Sequence, residues 1–469
     1  MSSRTKTAPH APHREHWSSG LALILAAAGS AIGLGNIWKF PYITGMNGGG
    51  WFVLVYLIAV LCVALPIMVA EILIGRTAQR SPVAAFRVLD GDRSPWQALG
   101  WLGVAAAFVI LSYYSVVAGW TLHYSWLALS HGFEGLDGPA VKALFGEVYA
   151  DPGISLFWHG LFMILTIAIV VAGVHRGVER WSRILMPLLF FMILALVVRA
   201  AGTDGFGRAL HFVFGAHADK LTPAGVLEAV GHSFFTLSLG MGAMLTYGSY
   251  MRPQDDVVRT SLAVGGLDTL ISLLACMMIF PIIFGAGLEP SAGPGLVFIS
   301  LPIAFGQLPG GALWALVFFV LLMVAALTSA ISLLEVAVSH AVDVHGWKRR
   351  RATLTIGAIV FVLGVPSARS GGTRLFGGDV AAATAVLFGD GKGKNWLDLF
   401  DYLASNWMLP IGGFGMALFV AWRMGAVARE QAFKAGSRLA RLYWGWVWLL
   451  RYVVPAGVLA VFLHAIGLL

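Results

Sequence analysis

Residues 29–36 read GSAIGLGN: three glycines, a serine and an asparagine set into what is otherwise an apolar helix. A helix broken at membrane depth leaves backbone groups unpaired, so such a break persists only inside protein or along a watery cavity. Freed carbonyls are hard oxygen donors that suit a small cation. Freed amides at the start of the next half-helix favour a carboxylate. Gly29, Gly33 and Gly35 let the backbone turn and approach a ligand closely. The stretch TLSLGMG at 236–242 is a second break, in which Thr236 and Ser238 add hydroxyls. Close helix packing through the Gly29/Gly33 spacing is the competing reading. Asn36, Lys39 and Pro41 next to it weigh against packing, as does the second break. The chemistry open to these residues is the holding of a cation and an anion side by side.

The elements that carry them are membrane helices. Of 469 residues, 58% are hydrophobic and 12% charged, against about 25% charged in a soluble domain. Apolar stretches long enough to cross a bilayer recur from end to end. They predict eleven spans near 20–42, 52–75, 98–128, 155–173, 182–200, 224–250, 261–287, 312–342, 354–368, 397–422 and 442–467. Arg76 to Arg93, Arg176 to Arg183, Arg252 and Arg259, Lys348 to Arg351 and Arg423 to Arg441 fall in alternate loops. By the positive-inside rule those loops and the N-terminus are cytoplasmic and the C-terminus is extracytoplasmic. The net charge of +8 thus reflects orientation in a cell membrane, and nucleic acid is not expected as a partner. Cys62 and Cys276 sit in apolar spans and form neither a disulfide framework nor a metal set. No nucleophile–base or H-E-x-x-H pattern suggests an enzyme, and no ring-forming pore motif suggests a channel.

The breaks lie in the first and sixth of eleven spans, which predicts two five-helix repeats and one extra helix. The expected organisation is a cytoplasmic segment 1–19, a first repeat 20–200 and a second repeat 201–424 with outer loops 288–311 and 369–396. A cytoplasmic loop 425–441 and a further transmembrane helix 442–469 follow.

REHW (14–17), GSAIGLGNIWKFPY (29–42), NGGG (47–50), FFTLSLGMG (234–242), TYGSY (246–250) and ALTSAISLLE (326–335) together resemble the neurotransmitter:sodium symporter family, particularly its bacterial amino-acid members. The resemblance runs from Arg14 to Trp444. It implies an all-α polytopic membrane fold of two inverted five-helix repeats with discontinuous helices 1 and 6, working by alternating access. It implies two sodium ions. The first would meet Ala31, Asn36, Thr236 and Asp268; the second would meet Gly29, Ile32, Ala325, Thr328 and Ser329. A substrate carboxylate would meet the amides of Gly33–Gly35 and the Tyr114 hydroxyl. Its amino group would meet Ala31, Phe235, Thr236 and Ser238, with Tyr114 and Phe235 closing over it and Ser329 nearby. Lys39 and Asp401 match an outer gate pair. Arg14 and Asp343 match an inner pair, with Trp17, Ser249 and Tyr250 around them. Glu71 matches a residue that satisfies the broken backbone of helix 6, and Glu335 receives no role.

Three departures from the family pattern carry information. Gly33 stands where amine carriers place an aspartate, so the substrate must bring its own carboxylate, which favours amino acids. Asp268 stands where asparagine is common and supplies a negative charge beside sodium, which favours chloride independence. The far end of the pocket would comprise Phe235, Met241, Leu333 and Val117 or Ile110, which suits a hydrophobic aliphatic or aromatic side chain. The expected activity is therefore sodium-coupled symport of hydrophobic amino acids by a monomer or weak dimer in the lipid bilayer. A proton-coupled carrier of the same general fold and an ion channel are the alternatives.

Overall fold

The computed structural model describes residues 15–215, 217–290, 293–388 and 393–468, and the described residues are helical with no strand among them. Helix starts follow side-chain chemistry. Ser19, Asp137, Asp151, Thr222, Asp256 and Asn395 each accept a hydrogen bond from a first-turn amide, and Pro152 and Pro223 follow two of these caps.

Among the described residues nine continuous helices are long and apolar enough to cross a membrane. In chain order they are span 2 (Gly50–Ala78), span 3 (Gln97–Leu129), span 4 (Pro152–Val170), span 5 (Val174–Ala201), span 7 (Val257–Gly285), span 8 (Gly311–His345), span 9 (Arg349–Ala368), span 10 (Trp396–Arg423) and span 11 (Ala440–Ala465). Span 1 is a pair, Gly20–Ala31 and Gly35–Met46, bent by 60°. Span 6 is also a pair, Pro223–Thr236 and Ala243–Gly248. The two interruptions fall in the first and sixth spans.

Each break has its own geometry. Ile32 takes an extended conformation that ends the first half of span 1. The span 6 break turns through positive φ at Ser238 (54°), Gly240 (81°) and Gly242 (74°), of which the serine is the unusual occupant. A Cβ on Gly240 would stand 2.3 Å from the Leu409 carbonyl oxygen of span 10, so glycine is needed there for space as well as for angle. Its amide is not orphaned, because Glu71 Oε1 on span 2 accepts from Gly240 N at 2.6 Å.

Span 5 departs from its expected start. The helix begins eight residues earlier than the hydropathy suggested, so Arg176, Arg180 and Arg183 lie on its first turns instead of in a loop. The chain before span 1 explains this. Glu15 Oε2 accepts from Val174 N at 2.9 Å, Ser18 N donates to Glu179 Oε2 at 3.1 Å, and Arg183 pairs with Glu179 at 2.9 Å. The apolar centre of the 287–311 segment is a helix, Leu296–Gly306, tucked against the bundle. Phe298 stacks on Phe145 at 5.5 Å, and the Tyr124 hydroxyl donates to its carbonyl at 3.1 Å.

Candidate functional site

The two breaks face each other across spans 7 and 8. On the span 7 side, Asp268 is fully buried among hydrogen-bond donors. Asn36 Nδ2 lies 2.7 Å from Asp268 Oδ1, 2.9 Å from Thr236 Oγ1 and 2.9 Å from Ser272 Oγ, three acceptors for its two hydrogens. The Thr236 hydroxyl donates to Asp268 Oδ1 at 3.1 Å, and the Tyr56 hydroxyl to Oδ2 at 3.3 Å. Asn36, Thr236 and Asp268 are thus brought together, beside the break that follows Ala31. One detail differs from expectation. The Asn36 amide oxygen, the atom that would face a cation, instead accepts from Gly33 N at 2.8 Å. With the amide turned this way its NH2 group lies where positive charge would lie, against the buried carboxylate. The Asn36 oxygen has a second lone pair, so it can accept from Gly33 and face a cation as well.

On the span 8 side, Ser329 Oγ lies 3.4 Å from the Gly29 carbonyl, 3.3 Å from that of Ile32 and 3.3 Å from that of Ala325. Neighbouring ligands at right angles round a hard cation held at about 2.4 Å stand about 3.4 Å apart. Ser329 Oγ stands at about that spacing from three carbonyls expected at the second ion site, and also lies 3.3 Å from the Ser30 carbonyl. Thr328 Oγ1 joins the set by donating to the Ala325 carbonyl at 3.0 Å.

Between the two clusters, the Leu34 amide points at the Tyr114 hydroxyl, 3.5 Å away. A Cβ on Gly33 would stand 3.0 Å from Ser329 Oγ and 3.3 Å from the Tyr114 hydroxyl oxygen, and one on Gly35 would touch the Phe235 ring at 3.6 Å. The bare backbone at Gly33 therefore lies close against two hydroxyls, those of Ser329 and Tyr114, beside the Leu34 amide. Met241, Leu333, Val117 and Ile110 are buried apolar residues. Gly33→Ala is expected to raise the substrate concentration for half-maximal uptake by about tenfold or more. The added methyl must push against the Ser329 and Tyr114 hydroxyls, so a thermal melt is run beside the uptake assay; a variant that transports like the parent would show that the donors around Gly33 hold no substrate.

Above Tyr114 and Phe235 a cavity of about 580 Å³ runs between Trp38, Tyr42, Tyr113 and Trp120 to Asp398 and Asp401, on the side opposite the basic loops. Lys39 and Asp401 both line it but do not pair. The Lys39 ammonium sits 5.6 Å from the centre of the Phe235 ring, and Asp401 accepts from the Tyr113 hydroxyl at 2.8 Å. The open cavity keeps them apart, and an exposed pair gains little by closing across water. Ser238 also differs from its expected part: its hydroxyl donates to the Ser30 carbonyl at 2.8 Å.

The basic side is closed. Trp17 is buried, donating through Nε1 to the Tyr247 carbonyl and through its amide to the Tyr250 carbonyl, both at 3.0 Å. The rings of Tyr247 and Tyr250 stand edge-on to it at 5.3 and 6.0 Å. The Ser249 hydroxyl donates to the Thr246 carbonyl, and Asp343 Oδ2 accepts from Ser81 N at 2.7 Å. Arg14, the expected partner of Asp343, lies outside the described residues.

Sequence reasoning left Glu335 unassigned and counted Arg349 as a loop cation. The two form a two-pronged ion pair in which Glu335 is fully buried. Glu335 Oε1 also accepts from the Tyr250 hydroxyl at 2.6 Å, and Arg349 Nε donates to the last carbonyl of span 4, that of Val170, at 3.1 Å. A lone carboxylate within a long apolar span announces a partner. The first basic residue of the next helix was the signal available in the sequence.

The sequence profile described as the sodium:neurotransmitter symporter family matches residues 14–134 and 151–468. The chain is 36% identical over 454 residues to an uncharacterised sodium-dependent transporter, YhdH, of Bacillus subtilis, covering 97% of this chain and 98% of that one. It is 33% identical to an uncharacterised sodium-dependent transporter of Haemophilus influenzae, covering 96% and 98%. The crystal structure of MhsT in complex with L-phenylalanine superposes with a TM-score of 0.85 at 41% identity, over 96% of this chain and all of that one. With its helices broken where the inverted five-helix repeats require, the chain belongs to the sodium:neurotransmitter symporter family and is a sodium-dependent membrane transporter.

Proposed function

We propose that the protein carries hydrophobic amino acids into the cell by alternating access, driven by two sodium ions and without need of chloride. The observation that carries the substrate class is the set of donors around Gly33. It offers the Tyr114 and Ser329 hydroxyls and neighbouring amides to a carboxylate and contains no acidic side chain of its own. A substrate that supplies that carboxylate also supplies an oxygen to the cation beside Asn36 and Asp268. The buried apolar residues Met241, Leu333, Val117 and Ile110 favour an uncharged aliphatic or aromatic side chain, and the similar MhsT was crystallised with L-phenylalanine. Chloride independence rests on Asp268, whose carboxylate supplies the negative charge at the first ion site. The second ion is assigned to the oxygens around Ser329. The basic loops put the closed Trp17 side in the cytoplasm, so the arrangement is outward-facing.

The test is uptake of labelled phenylalanine, leucine and tryptophan into proteoliposomes under an inward sodium gradient, against the same gradient of potassium. Concentrative uptake with sodium alone is expected, and unlabelled hydrophobic amino acids should compete while amines do not. Uptake indifferent to sodium, or competition by amines, would overturn the reading.

A further inference from the structure

Four serines tie the two broken helices and span 8 to one another, and of these only Ser329 belongs to an ion cluster. The Ser30 hydroxyl, in the last turn of the first half of span 1, donates to Ser332 Oγ at 2.7 Å. Ser332 passes its own proton on to the Ser329 carbonyl at 2.8 Å. A hydroxyl has one proton to give, so the direction is settled: Ser30 donates, and Ser332 accepts and donates onward. The Ser30 carbonyl accepts from Ser238 in the span 6 break. The Tyr247 hydroxyl lies beside Ser332, and the Tyr247 carbonyl holds Trp17. Ser30 and Ser332 are each only 1% exposed, so no water competes for the bond.

We propose that the Ser30–Ser332 bond is a latch that holds the inner half of span 1 on span 8 while the second ion site is empty, with Ser332 as a positioning residue for coupling. This rests on the transport reading above. Gly29, Ile32 and Ala325 grip the two helices together only when an ion lies between their carbonyls. Ser329 Oγ spans the same gap with contacts of 3.3–3.4 Å, long for hydroxyl hydrogen bonds. The 2.7 Å bond one turn along span 8 is the shorter tie between the same helices. It keeps Trp17 seated against Tyr247 until sodium arrives, and so suppresses opening to the cytoplasm by the unloaded carrier. Without it, the inner half of span 1 parts from span 8 without sodium, and substrate leaks through uncoupled.

The experiment compares Ser30→Ala, Ser332→Ala and the double variant with the parent in two readouts. Substrate flux with potassium in place of sodium should rise about two- to tenfold in each variant, the range of one neutral buried hydrogen bond. The double variant should match the singles, because one bond is lost once. Half-maximal substrate concentration at saturating sodium should stay within about twofold, since neither residue touches the substrate. The second readout is amide hydrogen exchange of residues 17–31 in potassium without substrate, which should accelerate by the same factor in all three variants. Additive effects of the two substitutions, or exchange unchanged from the parent, would overturn the latch. A parent protein that fails to carry phenylalanine with sodium would sink the transport reading alone, because the exchange measurement needs no substrate.

Discussion

Replacing Asp268 with alanine is expected to weaken the sodium dependence of uptake by at least a hundredfold in chloride-free medium, and added chloride is expected to recover part of it. The carboxylate is fully buried and takes hydrogen bonds from Asn36, Thr236 and Tyr56. Desolvating a sodium ion at that depth is tolerable only if a negative charge waits for it. Removing one partner from a buried charge pair costs about 3–5 kcal/mol, or roughly a hundred- to several-thousand-fold in affinity. The substitution also leaves a void the size of a carboxylate, ringed by the Asn36 amide and the hydroxyls of Thr236 and Tyr56. These groups donate hydrogen bonds to whatever replaces the missing oxygens, and chloride is a small anion that can accept them. Uptake of labelled phenylalanine across a sodium titration, in chloride and in gluconate, measures both parts. The parent should be indifferent to the anion and the variant should not. Parent uptake that falls in gluconate would mean that Asp268 does not supply the charge assigned to it.

Much of this was legible in the chain because the informative residues break a rule. Glycines, an asparagine and hydroxyls inside apolar spans announce both interruptions, and the structure brings Asn36, Thr236 and Asp268 within hydrogen bonding of one another. What the sequence could not convey is state. Whether Lys39 meets Asp401 depends on how far the outer helices have closed, and here a cavity of about 580 Å³ lies between the groups that line it. Which amide atom Asn36 turns toward Asp268 depends on the hydrogen bonds around it, here one from Gly33 N to its oxygen. Neither question has an answer in residue type and spacing. The start of span 5 was misplaced for a related reason. Hydropathy marks where lipid ends, while the helix runs on because Glu15 and Ser18 satisfy its first amide and the Glu179 carboxylate. Ser30 and Ser332 were in plain view inside the quoted motifs. Nothing along the chain reveals that residues 302 positions apart share a proton.

The Glu335–Arg349 pair should show the other large effect, and its sign depends on which partners remain. Arg349→Ala leaves a carboxylate fully buried among spans 6, 8 and 9 with the Tyr250 hydroxyl as its remaining donor. The penalty for such an orphaned charge is about 3–5 kcal/mol, enough to lower the melting temperature in detergent by about 3–5 °C for a chain of 469 residues. Glu335→Gln is the milder lesion, since the amide keeps an oxygen for Tyr250 and a share of Arg349. The double variant Glu335→Gln/Arg349→Met has no unpaired charge and should recover most of the thermal stability lost in Arg349→Ala. It should not recover tight coupling. The pair joins span 8 to the head of span 9 and, through Val170, to the end of span 4, while Tyr250 joins it to the chain beneath Trp17. Without it the closed side loses the tie that holds those four elements together, whatever the melting temperature. A cysteine introduced at Tyr247 in a background lacking Cys62 and Cys276 would report this, since Tyr247 is buried under Trp17 in the closed arrangement. Its labelling by a water-soluble reagent in potassium should quicken in the double variant relative to the parent. Recovered stability with unchanged labelling would confine the pair to holding the fold together, whereas recovered stability with faster labelling separates its part in the gate from its part in the fold.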